Sequence, residues 1–207
     1  MFVKRIIYSI TAVIIMLAIA TSCSGTKESP IEDFEYEIKD GEIIITEYIG
    51  SERVISIPSK IEERPVTVIG SKAFEKYDLI SVVIPDTVTE IKSEAFRDCV
   101  CLETIKFSEQ LKIIGDKAFY NCEVLASVDL PKNLEWIGDD AFDRCNSLAT
   151  IELPENVRFS ILYVEYYQKL EYPFWPGTTI IVEKDSFAYE KIMQWTSYGL
   201  KYEIKSN

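Results

Sequence analysis

The sequence predicts an α/β repeat fold, a short solenoid with repeats of 22 to 23 residues. Three observations lead to this prediction. The phrase Ile-Gly-x-x-Ala-Phe occurs four times, once with lysine in place of glycine. The phenylalanines of successive copies are 22, 23 and 23 residues apart, and each copy is followed by the same series of apolar residues. A constant period of this size is typical of solenoids. The four phenylalanines are Phe74, Phe96, Phe119 and Phe142.

Each repeat is predicted to contain one short strand after its phenylalanine. A leucine comes first, an isoleucine or valine follows three residues later, and another apolar residue stands two residues beyond that. The last interval is a period of two, which places both side chains on one buried strand face. Proline has no amide donor, so it is suited to end three of these strands. These positions are Leu79, Leu102, Leu125 and Leu148, then Val82, Ile105, Val128 and Ile151, then Ile84, Phe107, Leu130 and Leu153, then Pro85, Pro131 and Pro154.

The repeated phrase itself is predicted to turn the chain back along the opposite wall of the solenoid. Identical apolar residues would stack on their copies in the next turn, so stability would come from contacts between neighbouring repeats. Glycine at 70, 115 and 138 is expected to form a tight turn or to adopt a positive φ. Lys92 in the second copy is either tolerated in this turn or strains its repeat.

A hairpin is predicted before the first repeat, where it would cover the exposed end of the core. Its two strands are Phe34 to Ile38 and Glu42 to Tyr48, joined through Asp40-Gly41, a favoured hairpin turn. Terminal units that differ from the repeat are what a solenoid needs to cover its ends.

A helix is predicted near the other end of the chain, as part of a second cap. Asp185 would cap its first turn, and Tyr198-Gly199 would end it. Its buried face would consist of Ala188, Ile192 and Trp195.

These residues carry a resemblance to a known family. The unit Leu-x-x-Ile-x-Leu-Pro-x-x-Leu-x-x-Ile-Gly-x-x-Ala-Phe-x-x-Cys resembles the BspA-type leucine-rich repeat of bacterial surface proteins, and residues Leu125 to Cys145 match it almost throughout. Ile43 to Pro58 is similar to the incomplete first rung of that family, and Thr178 to Ile204 to its closing strand, helix and strand. The resemblance implies a leucine-rich repeat solenoid with both caps, and a role in adhesion.

The first 22 residues are predicted to be a secretory signal. Lys4 and Arg5 precede a nearly continuous apolar run, Ile6 to Ala20, which is too short for a membrane span. The small residues before Cys23 resemble the lipobox of bacterial lipoproteins, which implies that Cys23 carries the lipid anchor; the alternative is an ordinary signal peptide.

The remaining chain is divided by these patterns into a tether and one repeat domain. Residues 23–30 are polar and form the tether, and residues 31–207 form the domain. Within the domain, the predicted parts are the cap and incomplete first rung (31–68), four repeats (69–157), an aromatic insert (158–177) and the C-terminal cap (178–207).

Charge and composition exclude several classes of function. Without Lys4 and Arg5, the mature chain has 20 basic and 34 acidic side chains, a net charge near −14. This charge disfavours nucleic acid and anionic lipid as partners. Histidine is absent from the sequence, so a Ser-His-Asp or Cys-His nucleophile and histidine metal motifs are impossible. We therefore expect neither catalysis, nor a metal site, nor a cofactor.

Three cysteines occupy one column of the repeat, three residues after their phenylalanines. Stacked strands lie about 4.8 Å apart, which is within the reach of a disulfide if the side chains converge. The alternative, which the repeat unit favours, is that each cysteine is a small buried apolar residue. The column is Cys99, Cys122 and Cys145; Cys101 stands outside it, and the sequence leaves open whether any of the four is oxidised.

The outward positions of the repeated strands form one predicted binding surface. One column carries hydroxyl groups, which could bond in a ladder, and the next carries mixed small and charged side chains. We expect Lys106, Asp129 and Glu152 to contact a partner. The two columns are Ser81, Thr104, Ser127 and Thr150, and Ser56, Val83, Lys106, Asp129 and Glu152.

The aromatic insert forms a second predicted binding surface. Tyrosine and tryptophan combine apolar area with a hydrogen-bonding tip, which suits protein contacts and sugar stacking. Spacing predicts a short helix from Tyr163 to Leu170, before Pro173. The alternative is that the insert packs on the end of the solenoid. The candidate residues are Tyr163, Tyr166, Tyr167, Tyr172, Phe174 and Trp175; Phe159 lies nearby.

Together these observations predict a leucine-rich repeat protein that is lipid-anchored in the bacterial cell envelope and exposed at the surface, where its partner is a protein on a host or neighbouring cell.

 The predicted activity is protein–protein interaction and adhesion at the cell surface, with the membrane contacted through the lipid on Cys23. Two alternatives stay open: a glycan-binding surface lipoprotein that uses residues 159–175, and a structural partner of another envelope protein.

Overall fold

The structure is a computed structural model. It describes residues 27–159, 162–164, 169–171, 173–174, 177–193 and 201–205. Several positions singled out by the sequence lie outside these residues: the signal segment 1–22, Cys23, Tyr166, Tyr167, Tyr172, Trp175, Trp195 and Tyr198-Gly199.

Short strands make up most of the regular structure, with a 3-10 turn at Ile31–Asp33 and one helix, α1, at Phe187–Met193 among the described residues. The strands are β1 (Phe34–Lys39), β2 (Glu42–Tyr48), β3 (Val54–Ser56), β4 (Lys60–Ile61), β5 (Arg64–Ile69), β6 (Ser81–Val83), β7 (Glu90–Ile91), β8 (Thr104–Lys106), β9 (Ile113–Ile114), β10 (Trp136–Ile137), β11 (Thr150–Glu152), β12 (Arg158–Phe159), β13 (Leu162–Val164), β14 (Lys169–Glu171), β15 (Thr179–Glu183) and β16 (Tyr202–Lys205).

These strands form two walls of a solenoid, which confirms the predicted fold class. The first wall, sheet 1, has the order β1-β2-β5-β7-β9-β10-β12, and all its neighbours after β2 are parallel. The second wall, sheet 2, consists of β3-β6-β8 and β11-β15-β16, both parallel. The repeat at 127–129 lies between these two groups and is not a regular strand. One turn of the chain therefore contributes one rung to each wall.

A column of stacked aromatic rings runs through the core between the walls. Phe74, Phe96, Phe119 and Phe142 are fully buried, and their ring centroids are 4.8, 5.2 and 5.2 Å apart with planes within 9° of parallel. Tyr48 precedes the column at 5.7 Å from Phe74. Each ring covers the next, so no repeat buries its apolar surface alone.

Backbone hydrogen bonds hold successive phenylalanines at this spacing. The amide of Phe74 donates to the carbonyl of Ala95 in the next repeat at 2.8 Å, and Phe96 donates to Ala118 in the same way. The alanines are fully buried, as expected where two backbones pack closely. The amide of Phe142 donates to the carbonyl of Pro173 at 2.6 Å, so the ladder continues beyond the last copy of the phrase.

The glycines of the phrase do not adopt a positive φ, so that part of the prediction was wrong. The positive φ falls two residues later, on Lys72, Glu94, Lys117 and Asp140. Glycine is required for close approach instead. A Cβ at Gly70 would lie 2.5 Å from the Ile45 carbonyl oxygen, and Cβ atoms at 115 and 138 would meet the backbone of the preceding repeat at 2.6 and 2.4 Å.

The aromatic insert contains a hairpin instead of the predicted helix. Strands β13 and β14 pair antiparallel, with Tyr163 opposite Leu170, a pairing that a helix through the same residues cannot make. The hairpin interrupts a fifth repeat and does not end the solenoid. Phe159 pairs with Ile137 in sheet 1, and Phe174 stacks on Phe142 at 6.2 Å and 13°.

Both caps have the predicted architecture, with one correction. Strands β1 and β2 form the hairpin, and Asp40 and Gly41 both have positive φ, at 53° and 86°. At the other end, Ser186 caps helix α1, because its Oγ accepts the amide of Tyr189 at 3.0 Å. Asp185 does not fill this role, and its φ is 64°. Ala188 and Ile192 are buried as predicted.

Because Phe174 lies in the buried ring column, its truncation should strongly destabilise the protein. We expect Phe174→Ala to lower the free energy of unfolding by about 3–5 kcal/mol, since it removes a fully buried ring. The matched control is Phe187→Ala, which truncates a ring that is 40% exposed and should change stability by about 0.5 kcal/mol or less. Urea unfolding of both variants checks this, and equal effects would contradict the placement of Phe174.

Candidate interaction surfaces

The outward face of sheet 2 carries the hydroxyl and charged columns that the sequence predicts. Thr104 Oγ1 donates to Ser81 Oγ at 2.8 Å, so the hydroxyl ladder forms between these two repeats. Lys106, Asp129 and Glu152 are all exposed. Since these charged groups lie on three successive repeats, they form a polar strip open to a partner.

Ser56 was predicted to lie on this face but is buried. The segment before the first hairpin covers it: the amide of Ser29 donates to the Ser56 carbonyl at 2.8 Å, and the Ser56 amide donates to Ser29 Oγ at 3.1 Å. In the column of Ser56 the accessible positions therefore begin at β6, whereas Val54 of β3, in register with Ser81, is 65% exposed. The pattern of the strand alone gives no sign of this cover.

The far end of the same face is occupied by an intramolecular ion pair. Lys205 Nζ lies 2.5 Å from Glu152 Oε1 and 3.9 Å from Glu183 Oε1. The carboxylates raise the pKa of Lys205, chiefly through the hydrogen bond to Glu152. Because β16 supplies this lysine, Glu152 belongs partly to the cap, whereas Lys106 and Asp129 have no ion-pair partner among the described residues.

The aromatic candidates do not form a single exposed group. Phe174 is 1% exposed and belongs to the core, so its assignment as a binding residue was wrong. Its burial follows from its place in the ring column, where it also meets Phe159 edge-on at 5.8 Å. Tyr163 lies in β13, and the other four candidates lie outside the described residues.

The outward face of sheet 1 is a further surface, which the sequence did not reveal. Its middle column carries Val68, Glu90, Ile113, Trp136 and Arg158, one from each successive rung. Ile113 and Trp136 are 38% and 40% exposed. The strands here are only two residues long, too short for a period-two pattern, and this is why the surface escaped detection. A neighbouring pair, Lys112 and Glu135, is joined at 3.2 Å.

The turns between the two walls carry charges that alternate in sign along the solenoid. Lys72 lies 3.0 Å from Glu94, and Lys117 lies 3.8 Å from Asp140. The hydrogen bond from Lys72 lowers the pKa of Glu94 and raises that of Lys72. Such exposed pairs contribute little stability individually, and their regular order follows from the stacking of equivalent positions.

The cysteine column is structural. Cys99, Cys122 and Cys145 are fully buried and unpaired. Each thiol donates to the carbonyl of a phenylalanine in the preceding repeat: Cys99 to Phe74 at 3.0 Å, and the others at 3.3 and 3.2 Å. Burial raises the pKa of Cys99 and Cys145 to about 12. These thiols therefore link adjacent rungs and are protected from oxidation; Cys101, half-buried, is also unpaired.

The described residues contain neither a metal-binding cluster nor a membrane-spanning helix. No cluster of three or more acidic or cysteine side chains there is arranged to hold a metal ion. None of the helices in that part of the chain has the length and apolar character to cross a bilayer.

A comparison with protein families gives one extended match. The model described as BspA type leucine rich repeat region matches residues 67–194 in six copies, which is more than half of the chain. The match includes the fifth, interrupted repeat that the structure places between Phe159 and Phe174. No curated protein sequence matches the chain.

Comparison with solved structures agrees with the fold. A leucine rich repeat protein of T. pallidum is 29% identical with a TM-score of 0.64, and the match covers 75% of this chain and 71% of that one. A leucine rich cell surface protein of Faecalibacterium prausnitzii is 29% identical, with a TM-score of 0.59 and coverage of 79% and 46%. A leucine-rich repeat protein of Bacteroides ovatus is 25% identical, with a TM-score of 0.57 and coverage of 87% and 41%. The chain thus spans less than half of the last two proteins.

The buried thiols predict a loss of stability in alkali. Their pKa is raised in the folded protein, so the unfolded chain releases these protons first, and stability falls as pH rises from about 9 towards 12. We expect the wild type to lose about 2 kcal/mol more than Cys145→Ala between pH 8 and 10.5, by urea unfolding. Equal losses in the two proteins would show that Cys145 is not a buried thiol.

Proposed function

Because this chain belongs to the BspA-type leucine-rich repeat family, we propose that it is a lipid-anchored protein of the bacterial cell surface that binds other proteins in adhesion and catalyses no reaction. Family membership makes it a protein-interaction repeat protein. The observation that carries the proposal is the separation of roles along each repeat. Residues of the repeated motif are buried, and the outward strand positions vary and are open to solvent.

Several features support this assignment. The outward face of sheet 2 presents Lys106 and Asp129 on neighbouring repeats, a flat polar surface that suits a protein partner better than a small molecule. A similar solved structure from Faecalibacterium prausnitzii is titled a cell surface protein, in agreement with the signal-like first residues of this chain. With so few repeats the contact area is small, so many anchored copies acting together would supply the avidity that one copy lacks.

The proposed anchor is the diacylated Cys23, four residues before the first described residue, Lys27. Lys27 to Pro30 then lead directly to the N-terminal end of the solenoid, where Ser29 bonds to Ser56. Four residues of extended chain span at most about 14 Å. The anchor would therefore hold the N-terminal cap close to the membrane and direct the C-terminal repeats away from it.

A second candidate, glycan binding, is favoured by one observation on the insert. The core uses Phe159 and Phe174 and continues on both sides of the hairpin. The ring column is therefore continued by Phe174, and the tyrosines of the insert are the proposed groups for sugar stacking. Tyr163, Tyr166, Tyr167, Tyr172 and Trp175 would form this site.

The anchor is tested by fractionating bacteria that express the full chain. We expect Cys23→Ala to move the protein from the membrane to the soluble fraction, because the acyl chains supply the membrane affinity. Cys101→Ala is the matched control and should leave the protein at the membrane. Membrane retention of Cys23→Ala would overturn lipid anchoring.

The binding surface is tested by quantitative pull-down with residues 24–207, which contain the entire core cluster. Lys106→Glu and Asp129→Lys should each weaken capture of the main partner at least tenfold, whereas Lys184→Glu, a reversal on an exposed turn, should not. A different result would assign the site to the insert and the ligand to a glycan: Tyr167→Ala or Trp175→Ala loses binding to a glycan array, whereas Lys106→Glu binds the array as the wild type does.

A further inference from the structure

The middle column of sheet 1 has an unusual order of charge along the solenoid. Glu90, Ile113, Trp136 and Arg158 lie on four successive rungs, in direct register. An acid stands at one end, two exposed apolar side chains at the centre and a base at the other end. Among the described residues, neither Glu90 nor Arg158 takes part in an ion pair.

This order is complementary to itself. A two-fold axis that runs parallel to the strands, between the rungs of Ile113 and Trp136, reverses the order of the rungs in a facing copy. Glu90 then faces Arg158 of the second copy, and Ile113 faces its Trp136. Both contacts occur twice, as in any isologous interface. We propose that the outward face of sheet 1 binds a second copy of this chain, with the two solenoids antiparallel.

The adjacent column obeys the same symmetry. Lys112 and Glu135 precede Ile113 and Trp136 and lie on the same two rungs, joined at 3.2 Å within one copy. The two-fold axis places Lys112 of each copy opposite Glu135 of the other copy. The four charged groups would then form a closed network of alternating sign around the apolar centre. Two independent columns therefore favour the same partner.

The turn that follows these two columns limits how far the proposed interface extends. Asp116 and Asp139 follow the glycines on the same two rungs and would face each other across the axis as like charges. Asp116 Oδ1 accepts the amide of Asp139 at 2.9 Å within its own chain, which directs this carboxylate along the turn. The proposed contact therefore consists of the two strand columns and ends where the turn begins.

The size of the face predicts a weak dimer. Four rungs about 4.8 Å apart, each about two residues wide, give a footprint of roughly 130 Å² on each copy, whereas stable complexes bury about 800 Å² on each partner. The affinity of single copies should accordingly be low, and Trp136 should supply the largest single contribution, since a desolvated tryptophan is the commonest anchor of such contacts. Many copies on a surface would strengthen the association.

The antiparallel arrangement has a consequence for adhesion, which rests on the proposed lipid anchor. Because Cys23 is only four residues before Lys27 in the sequence, the two anchors of such a dimer would be at opposite ends of the pair. Copies on two facing membranes satisfy this geometry, whereas copies on one membrane do not. The contact would therefore join cell to cell through identical proteins.

Self-association of residues 24–207 is measured by sedimentation equilibrium up to about 1 mM protein, in buffer of about 0.15 M ionic strength, where the Debye length of about 8 Å screens the net negative charge. We expect a reversible monomer–dimer equilibrium. Glu90→Arg and Arg158→Glu should each weaken it at least tenfold, since each places like charges together twice. The double variant carrying both reversals should restore it to within threefold of the wild type.

Trp136→Ala should also abolish the dimer, whereas Phe187→Ala, which truncates a ring of equal exposure on helix α1, should not. Circular dichroism confirms that each variant is folded. A wild type that stays monomeric, or a dimer that survives Trp136→Ala or is not restored by the double reversal, would overturn the proposal. Glycan-array binding lost on Trp136→Ala in a monomeric protein would also overturn it. None of these outcomes bears on membrane anchoring, which Cys23→Ala tests separately.

Discussion

The structure depends on one constraint: each turn of the chain must lie at van der Waals distance from an equivalent turn. The ring of each phenylalanine is covered by the ring of the next repeat at about 5 Å. Its backbone amide donates a hydrogen bond to an alanine carbonyl of the following repeat, and its carbonyl accepts a hydrogen bond from the cysteine thiol of that repeat. Alanine and glycine are needed nearby because larger side chains would hold the backbones apart. Stability in such an arrangement is a property of neighbouring interfaces.

This constraint also divides the residues of each repeat into core-facing positions and outward positions. Positions that face the core must repeat, because each stacks on its own copy. Outward positions face solvent and are free to differ from one repeat to the next, as Lys106, Asp129 and Glu152 do in sheet 2. The same freedom allows Glu90, Ile113, Trp136 and Arg158 to follow one another in sheet 1. The motif that identifies the family is therefore mostly buried, and both proposed partner surfaces consist of outward positions.

Periodicity predicted the solenoid, the buried columns and the terminal hairpin, because these follow from spacing alone. Features that depend on contacts between distant residues were missed. The sequence does not show that Ser29 covers Ser56, or that the close approach of backbones, and not φ, requires glycine at 70. Phe174 looked exposed because an insertion separates it from Phe159 and hides its place in the ring column. Aspartate and serine are both favoured residue types at a helix N-cap, and only the hydrogen bond from the Tyr189 amide shows that Ser186, and not Asp185, caps helix α1.

The phenylalanine ladder continues past the insert, so the fifth repeat is part of one core. Native-state hydrogen exchange of residues 24–207 tests this claim directly. The amide of Phe142, bonded to the Pro173 carbonyl, should exchange as slowly as the amide of Phe119, because both open only when the core unfolds. If the amide of Phe142 exchanges much faster than that of Phe119, the solenoid ends at the fourth repeat and the ladder does not continue to Pro173.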